Sequence, residues 1–264
     1  MGINFLNKTK MNKYLLVIVL SLATLFIGGC SKKNSLAPIA TGQLYFHLHT
    51  NIDDVEVGGY NSVIQSASGR NVSLSLAQMY ISTIELVKLD GSVYAVPNKV
   101  ILTDFETETY LIGNVPAGNY KSIRFSVGLN GAQNAKTPVS GDSVFYHPEM
   151  WFGNTAQPMG YVFLNVQGKI DTTAQASGTE AQMVPFSYRI GTLANSRQVD
   201  MPDQNFAVLP DQDEYAHFTV NIMRIFDGVD LSKTHNLTVQ SPTDNSNTLA
   251  ILISNNIPNL FYYE

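Results

Sequence analysis

The chain has 264 residues, a formal charge of −5 at pH 7 and a single cysteine. One cysteine excludes an internal disulfide and any zinc, iron–sulfur or thiol chemistry built from several. The acidic balance disfavours a nucleic-acid partner, and the length suits one large β domain or two small ones.

The first thirty residues read as an address. Lys8, Lys10 and Lys13 form a basic n-region, and Leu15 to Ile27 is an apolar h-region. That run is too short for a permanent membrane helix, which takes about 20 residues. Ile27-Gly28-Gly29-Cys30 resembles a bacterial lipobox, which implies cleavage before Cys30 and a lipid on that cysteine; an ordinary signal peptide with an incidental cysteine is the alternative. Met11-Asn12-Lys13 would also serve as an n-region, so translation starts at Met1 or Met11. Loss of residues 1–29 removes three lysines and no acid, moving the formal charge from −5 to −8. The expected organisation is a lipoprotein signal peptide over 1–29, a lipidated Cys and polar tether over 30–42, and one β-sandwich domain over 43–264. The expected location is the bacterial cell envelope, anchored to the outer membrane and facing the periplasm or the surface.

From residue 43 the pattern is that of an all-β protein, with short Val, Ile, Tyr, Phe and Thr runs punctuated by Gly, Asn, Asp and Pro. Leu44, Phe46 and Leu48 alternate with Tyr45, His47 and His49, so each set takes one face of a strand. Val72 to Leu76 leads into Met79 to Leu89, which turns at Asp90-Gly91 and returns through Val93 to Val96. After the Pro116 to Asn119 turn, Ile123, Phe125 and Val127 alternate with polar residues. Val162, Leu164 and Val166 form another apolar row, as do Val184 to Ile190 and Ala216 to Ile222 taken at every second residue. Arg224 to Asp230 reads as a helical turn, and Asn247 to Asn256 as a short helix ended by Pro258. The fold expected is an antiparallel Greek-key β-sandwich with one or two short C-terminal helical segments.

Chemistry-bearing residues concentrate between His147 and Asp171. This stretch holds the sole tryptophan, Trp151, with Met150, Met159 and His147. Thioether and imidazole together suit a Cu(I)-type site, while packing of Met and Trp beside a strand is the plain alternative. His47 and His49 leave the same polar face of one strand and make a half-site for zinc or copper if a third donor approaches. His217 also takes a polar face. Gly141-Asp142-Ser143 lacks the strand-to-helix setting of a serine nucleophile, and Asp211, Asp213 and Glu214 lack a calcium-loop pattern. With no phosphate-cradling or dinucleotide motif, a non-enzymatic role is expected.

The order of blocks resembles the MbnP-like family of periplasmic or lipid-anchored β proteins, named for copper-binding members found beside methanobactin genes. The resemblance runs from about Gln43 onward. It is carried by Phe46-His47-Leu48-His49, by Met79 to Leu86 with Asp90-Gly91, and by Val115 to Tyr120 with Ile123 to Gly128. Met150-Trp151 with Gly160 to Phe163, Ile225-Phe226 and the segment from Asn255 to Phe261 extend it. It implies a sandwich that binds copper outside the cytoplasm and, in some members, a tryptophan oxidised to kynurenine by a di-haem partner of the cytochrome c peroxidase type. Residue by residue, the family's Met-Trp segment falls on Met150 and Trp151 and its first-strand His on His47 or His49. Where the family has His in a Tyr-His-Ile-Gly block this chain has Arg189, and an arginine is no metal ligand.

The resulting expectation is copper held by His47, His49 and Met150 with Met159 or His147, Trp151 being a stacking neighbour or modification site. The competing expectation is a metal-free binding module whose exposed Tyr45, Trp151, Phe152 and Tyr161 form a patch for a glycan, peptide or outer-membrane partner. A hydrolase built on Ser143 is the weakest of the three.

Overall fold

The structure is a computed structural model and describes residues 39–153, 160–173 and 182–264. The leader, Cys30, most of the tether and Met159 lie outside the described residues. Fifteen strands follow in chain order: β1 (Thr41–Ile52), β2 (Val55–Glu56), β3 (Ile64–Gln65), β4 (Asn71–Lys88), β5 (Val93–Ala95), β6 (Val100–Asp104), β7 (Thr109–Pro116), β8 (Gly118–Val127), β9 (Val162–Asp171), β10 (Met183–Gly191), β11 (Arg197–Asp200), β12 (Phe206–Val208), β13 (Asp213–Asn221), β14 (Thr238–Val239) and β15 (Phe261–Tyr263).

They make two sheets. The smaller runs β15-β13-β1-β2 with β7 also paired to β1, and the larger runs β11-β8-β4-β9-β10-β14 with short strands added to β4 and β8. The expected sandwich is therefore present. Its sheets are mixed, because β1 with β13 and β10 with β14 pair in parallel while the other pairs are antiparallel.

Period-two alternation decides what each face does. Leu44, Phe46 and Leu48 of β1 are buried, and Phe46 meets Phe218 of β13 and Phe125 of β8 at ring separations of 5.0 and 6.0 Å. These side chains, with Met79, Ile81, Leu164, Val166 and Tyr188 of the larger sheet, fill one core between the sheets. Burying each such side chain contributes about 1.5–3 kcal/mol. Tyr120 donates its hydroxyl to the Pro116 carbonyl at 2.6 Å, fastening the β7–β8 corner as tyrosine corners do in other sandwiches.

The larger sheet is covered on its other side too. Tyr80, Leu129, Met150, Tyr161 and Phe163 form a second apolar cluster there, flanked by Val144, Phe145, Trp151 and Phe152. Tyr161 and Phe163 alternate with the inward row of β9, and both are nonetheless buried. The Ile190/Gly191 irregularity in the β9–β10 pairing lies beside this cluster, where Phe152 packs against Gly191.

The C-terminal helix Thr248–Asn256 is capped by the Asn247 side chain, which accepts from the Ala250 amide at 2.8 Å. The helical turn expected over Arg224 to Asp230 occurs slightly earlier, as a 3-10 turn at Ile222–Phe226. No helix among the described residues is long and apolar enough to cross a membrane.

Candidate metal centre

The outer face of the smaller sheet has no cover among the described residues like that on the larger one, and it gathers histidines and glutamates. The two-residue period of β1 puts His47 and His49 on this face. Parallel pairing with β13 then sets His217 opposite His47, and β7 sets Thr109 opposite His47 on the other side, with Glu108 just before it. The tight β1–β2 turn at Asp53-Asp54, with Asp53 at φ 51°, returns the chain so that Glu56 stands opposite Asn51. A short polar side chain tolerates that left-handed conformation better than most.

One ligand atom each from His47, His49 and Glu108 lies within 4.8 Å of the others. The imidazoles are in edge contact, 4.6 Å between ring centres, and His47 is 4.9 Å from His217. Each imidazole of the pair is oriented through Nδ1: His47 Nδ1 is 3.0 Å from the Thr109 hydroxyl, and His49 Nδ1 is 2.8 Å from Glu56. His47 Nε2 is 3.8 Å from Glu108, and the Nε2 of each ring is the nitrogen left by these Nδ1 contacts. A carboxylate or hydroxyl behind the imidazole is the usual outer partner of a metal-binding histidine, because it fixes the ring and its tautomer. The hydrogen bond to Glu56 raises the pKa of His49 above the ordinary imidazole value; partial burial opposes this, and nearby carboxylates add to the rise. The side chains of His47 and His49 are 20% and 23% exposed against 50% for Glu108, so two largely buried rings meet a half-exposed carboxylate.

The other expected donors among the described residues, Met150 and His147, are elsewhere. Met150 is fully buried in the second cluster, on the far side of the larger sheet. His147 bonds within its own turn, Nε2 to the Ser143 carbonyl at 3.0 Å and Nδ1 to Glu149 at 3.3 Å. The whole interlayer core separates them from His47 and His49, so the single site combining the two groups does not form. Alternation could place His47 and His49, but it carries no register between strands, and Met150 followed its neighbours into an apolar layer.

Trp151 packs on Tyr161 at 4.7 Å and bridges to it through the backbone. Arg189, where the family has histidine, reaches the same segment: Nη2 donates to the Trp151 carbonyl at 3.1 Å, and the guanidinium lies 5.2 Å from the centre of the Phe152 ring. A guanidinium offers the Met-Trp segment no metal donor. The aromatic patch expected of a binding module divides likewise. Tyr45 stacks on Tyr215 on the outer face of the smaller sheet, Trp151 and Phe152 belong to the other side of the sandwich, and Tyr161 is buried. Asp142 caps the turn that contains Ser143 by accepting from the Val144 and Phe145 amides.

Missing from the sequence reading were Glu108, Glu56, Glu264 and the pairing of His217 with His47. Glu56 alone had a local signal, the tight turn before it. Glu108 and His217 arrive by long-range pairing that no short window contains.

A two-sheet β-sandwich bearing an imidazole–carboxylate cluster on one open face defines a β protein with a candidate metal centre. The chain belongs to the MbnP family, whose match covers residues 41–246. Among solved structures, MbnP from Methylosinus trichosporium is similar over 79% of this chain and 87% of that one, with a TM-score of 0.51 and 17% identity, a likeness of fold. The search of curated proteins found no match.

Proposed function

We propose that this chain is a lipid-anchored, extracytoplasmic metal-binding protein and that its metal is copper. The observation that carries the reading is the convergence of His47, His49 and Glu108 within 4.8 Å, with both rings oriented from behind. Membership of a family whose name derives from copper-binding members adds to it, as does the leader ending in Ile27-Gly28-Gly29-Cys30.

The residues fit the ion. Two imidazoles and a carboxylate are borderline and hard donors, which suit Cu(II) and Zn(II) and offer Cu(I) no thioether. The sequence-based preference for Cu(I) through Met150 is therefore replaced by one for Cu(II), which binds nitrogen and oxygen sites more tightly than zinc does. His47 and His49 would hold the ion through Nε2, Glu108 would supply charge, and Thr109 and Glu56 would keep the rings in place. A bound Cu(II) supplies a Lewis-acidic, one-electron redox centre.

Titration of the purified, metal-stripped protein with Cu(II), followed by calorimetry and electron paramagnetic resonance, tests this. One copper per chain with nitrogen hyperfine structure is the expected result, and failure of the folded protein to take up copper sinks the reading. Glu56→Gln should weaken copper binding by about 10- to 100-fold, the cost of losing an outer partner of a ligating histidine, while thermal unfolding shows an unchanged fold.

A further inference from the structure

Glu264, immediately after β15, reaches over the same face. Its Oε1 is 3.3 Å from His49 Nε2, and its Oε2 is 3.5 Å from His217 Nδ1. Neighbouring donors about 2.0–2.1 Å from one Cu(II) ion of tetragonal geometry stand about 2.9 Å apart. The Glu264 carboxylate is thus within about half an ångström of the separation from His49 that a shared ion requires.

The strand before it is firmly seated. β15 pairs with β13 through Phe218↔Tyr263, Thr219↔Tyr262 and Val220↔Phe261. Phe261 packs edge-on to Phe125 at 5.0 Å, and Tyr263 stacks on Phe218 at 5.4 Å. Charge points the same way. A divalent ion on two neutral imidazoles and one carboxylate keeps a net positive charge, and a second carboxylate cancels it, so the largely buried rings border a neutral assembly and not a cation.

We propose that Glu264 is the fourth protein ligand of this centre, held in place by His217, so that metal binding closes the site and fastens β15 to the sheet. This rests on the metal reading above and extends it: the centre becomes a closed four-ligand holder in place of an open three-ligand site. His217 is a positioning residue, acting through the Glu264 carboxylate.

The experiment uses the full chain and Cu(II). Copper affinity and hydrogen exchange of the β15 amides, each with and without copper, are measured for the wild type and for Glu264→Gln. Expected are copper-induced protection of Tyr262 and Tyr263 in the wild type, its loss in the variant, and an affinity lower by at least about 10-fold. His217→Ala should weaken copper binding by about 10-fold, and His217→Asn, whose amide can still donate to Oε2, should recover most of it. Wild type that binds copper while Glu264→Gln binds it equally tightly, with the same gain in protection, overturns this inference and leaves the three-ligand reading standing. Wild type that binds no copper removes both.

Discussion

Replacing His47 and His49 together by alanine is expected to abolish copper binding, a loss exceeding the about 10- to 100-fold that removal of an outer partner produces, while the fold survives. Both side chains are on the outer face of β1, outside the interlayer core, and their inward neighbours Phe46 and Leu48 are untouched. The matching control is Met150→Ala. Met150 is fully buried among Tyr80, Leu129 and Phe163, so its truncation should cost about 2–5 kcal/mol of stability with no change in copper affinity. Isothermal titration and thermal unfolding of the two variants separate the cases. Copper affinity lost with Met150 and kept without the histidines would return the metal to the Met-Trp segment.

The second large effect concerns Gly168 in β9. An added Cβ would stand 2.0 Å from the Ser73 carbonyl of β4 and 3.1 Å from the Leu74 backbone. Both obstacles are main chain in a central strand pair, next to the irregularity between Leu74 and Leu76. No side chain can rotate away, so β4 and β9 must separate. Gly168→Ala is expected to lower stability by about 3 kcal/mol or more, the upper range of overpacking, seen as a shifted denaturation midpoint. A midpoint within error of the wild type would show that the strand pair has slack there.

Most of the fold was legible because it is written locally. The alternation at Leu44, Phe46 and Leu48 assigned both faces of β1 correctly, and the helix expected from Asn247 to Asn256 is present over Thr248–Asn256. Residues 72–76 lead into 79–89 in the sequence, and the chain runs through the irregularity at Leu74/Leu76 as the single strand β4. The short strands β6, β11 and β12 gave no readable period. At the start of β9, Tyr161 just before the strand and Phe163 within it occupied what alternation makes an outward row, and burial on both faces is a tertiary fact.

The candidate centre was half legible for the same reason. His47 and His49 share a strand, and their common face follows from geometry alone. Their partners come from β7, β13 and the segment after β15, and the β1–β13 pairing is parallel, so its register is set by packing across the whole domain. Met150, Trp151 and His147 formed the denser chemical signal in the sequence. The fold uses the first two chiefly as apolar surface and engages the third within a turn.

The parallel seam between β1 and β13 also orders events in time. It joins the first strand of the domain to one of the last, and contacts this distant in sequence form late because loop closure must precede them. An unfolded chain offers an ion little more than the His47–His49 dyad, free to flex and without its glutamates. On the proposed metal reading, a chain cut short before β13 would keep His47, His49 and Glu108 and lack His217 and Glu264, so the closed four-ligand centre would wait on completion of the sheet.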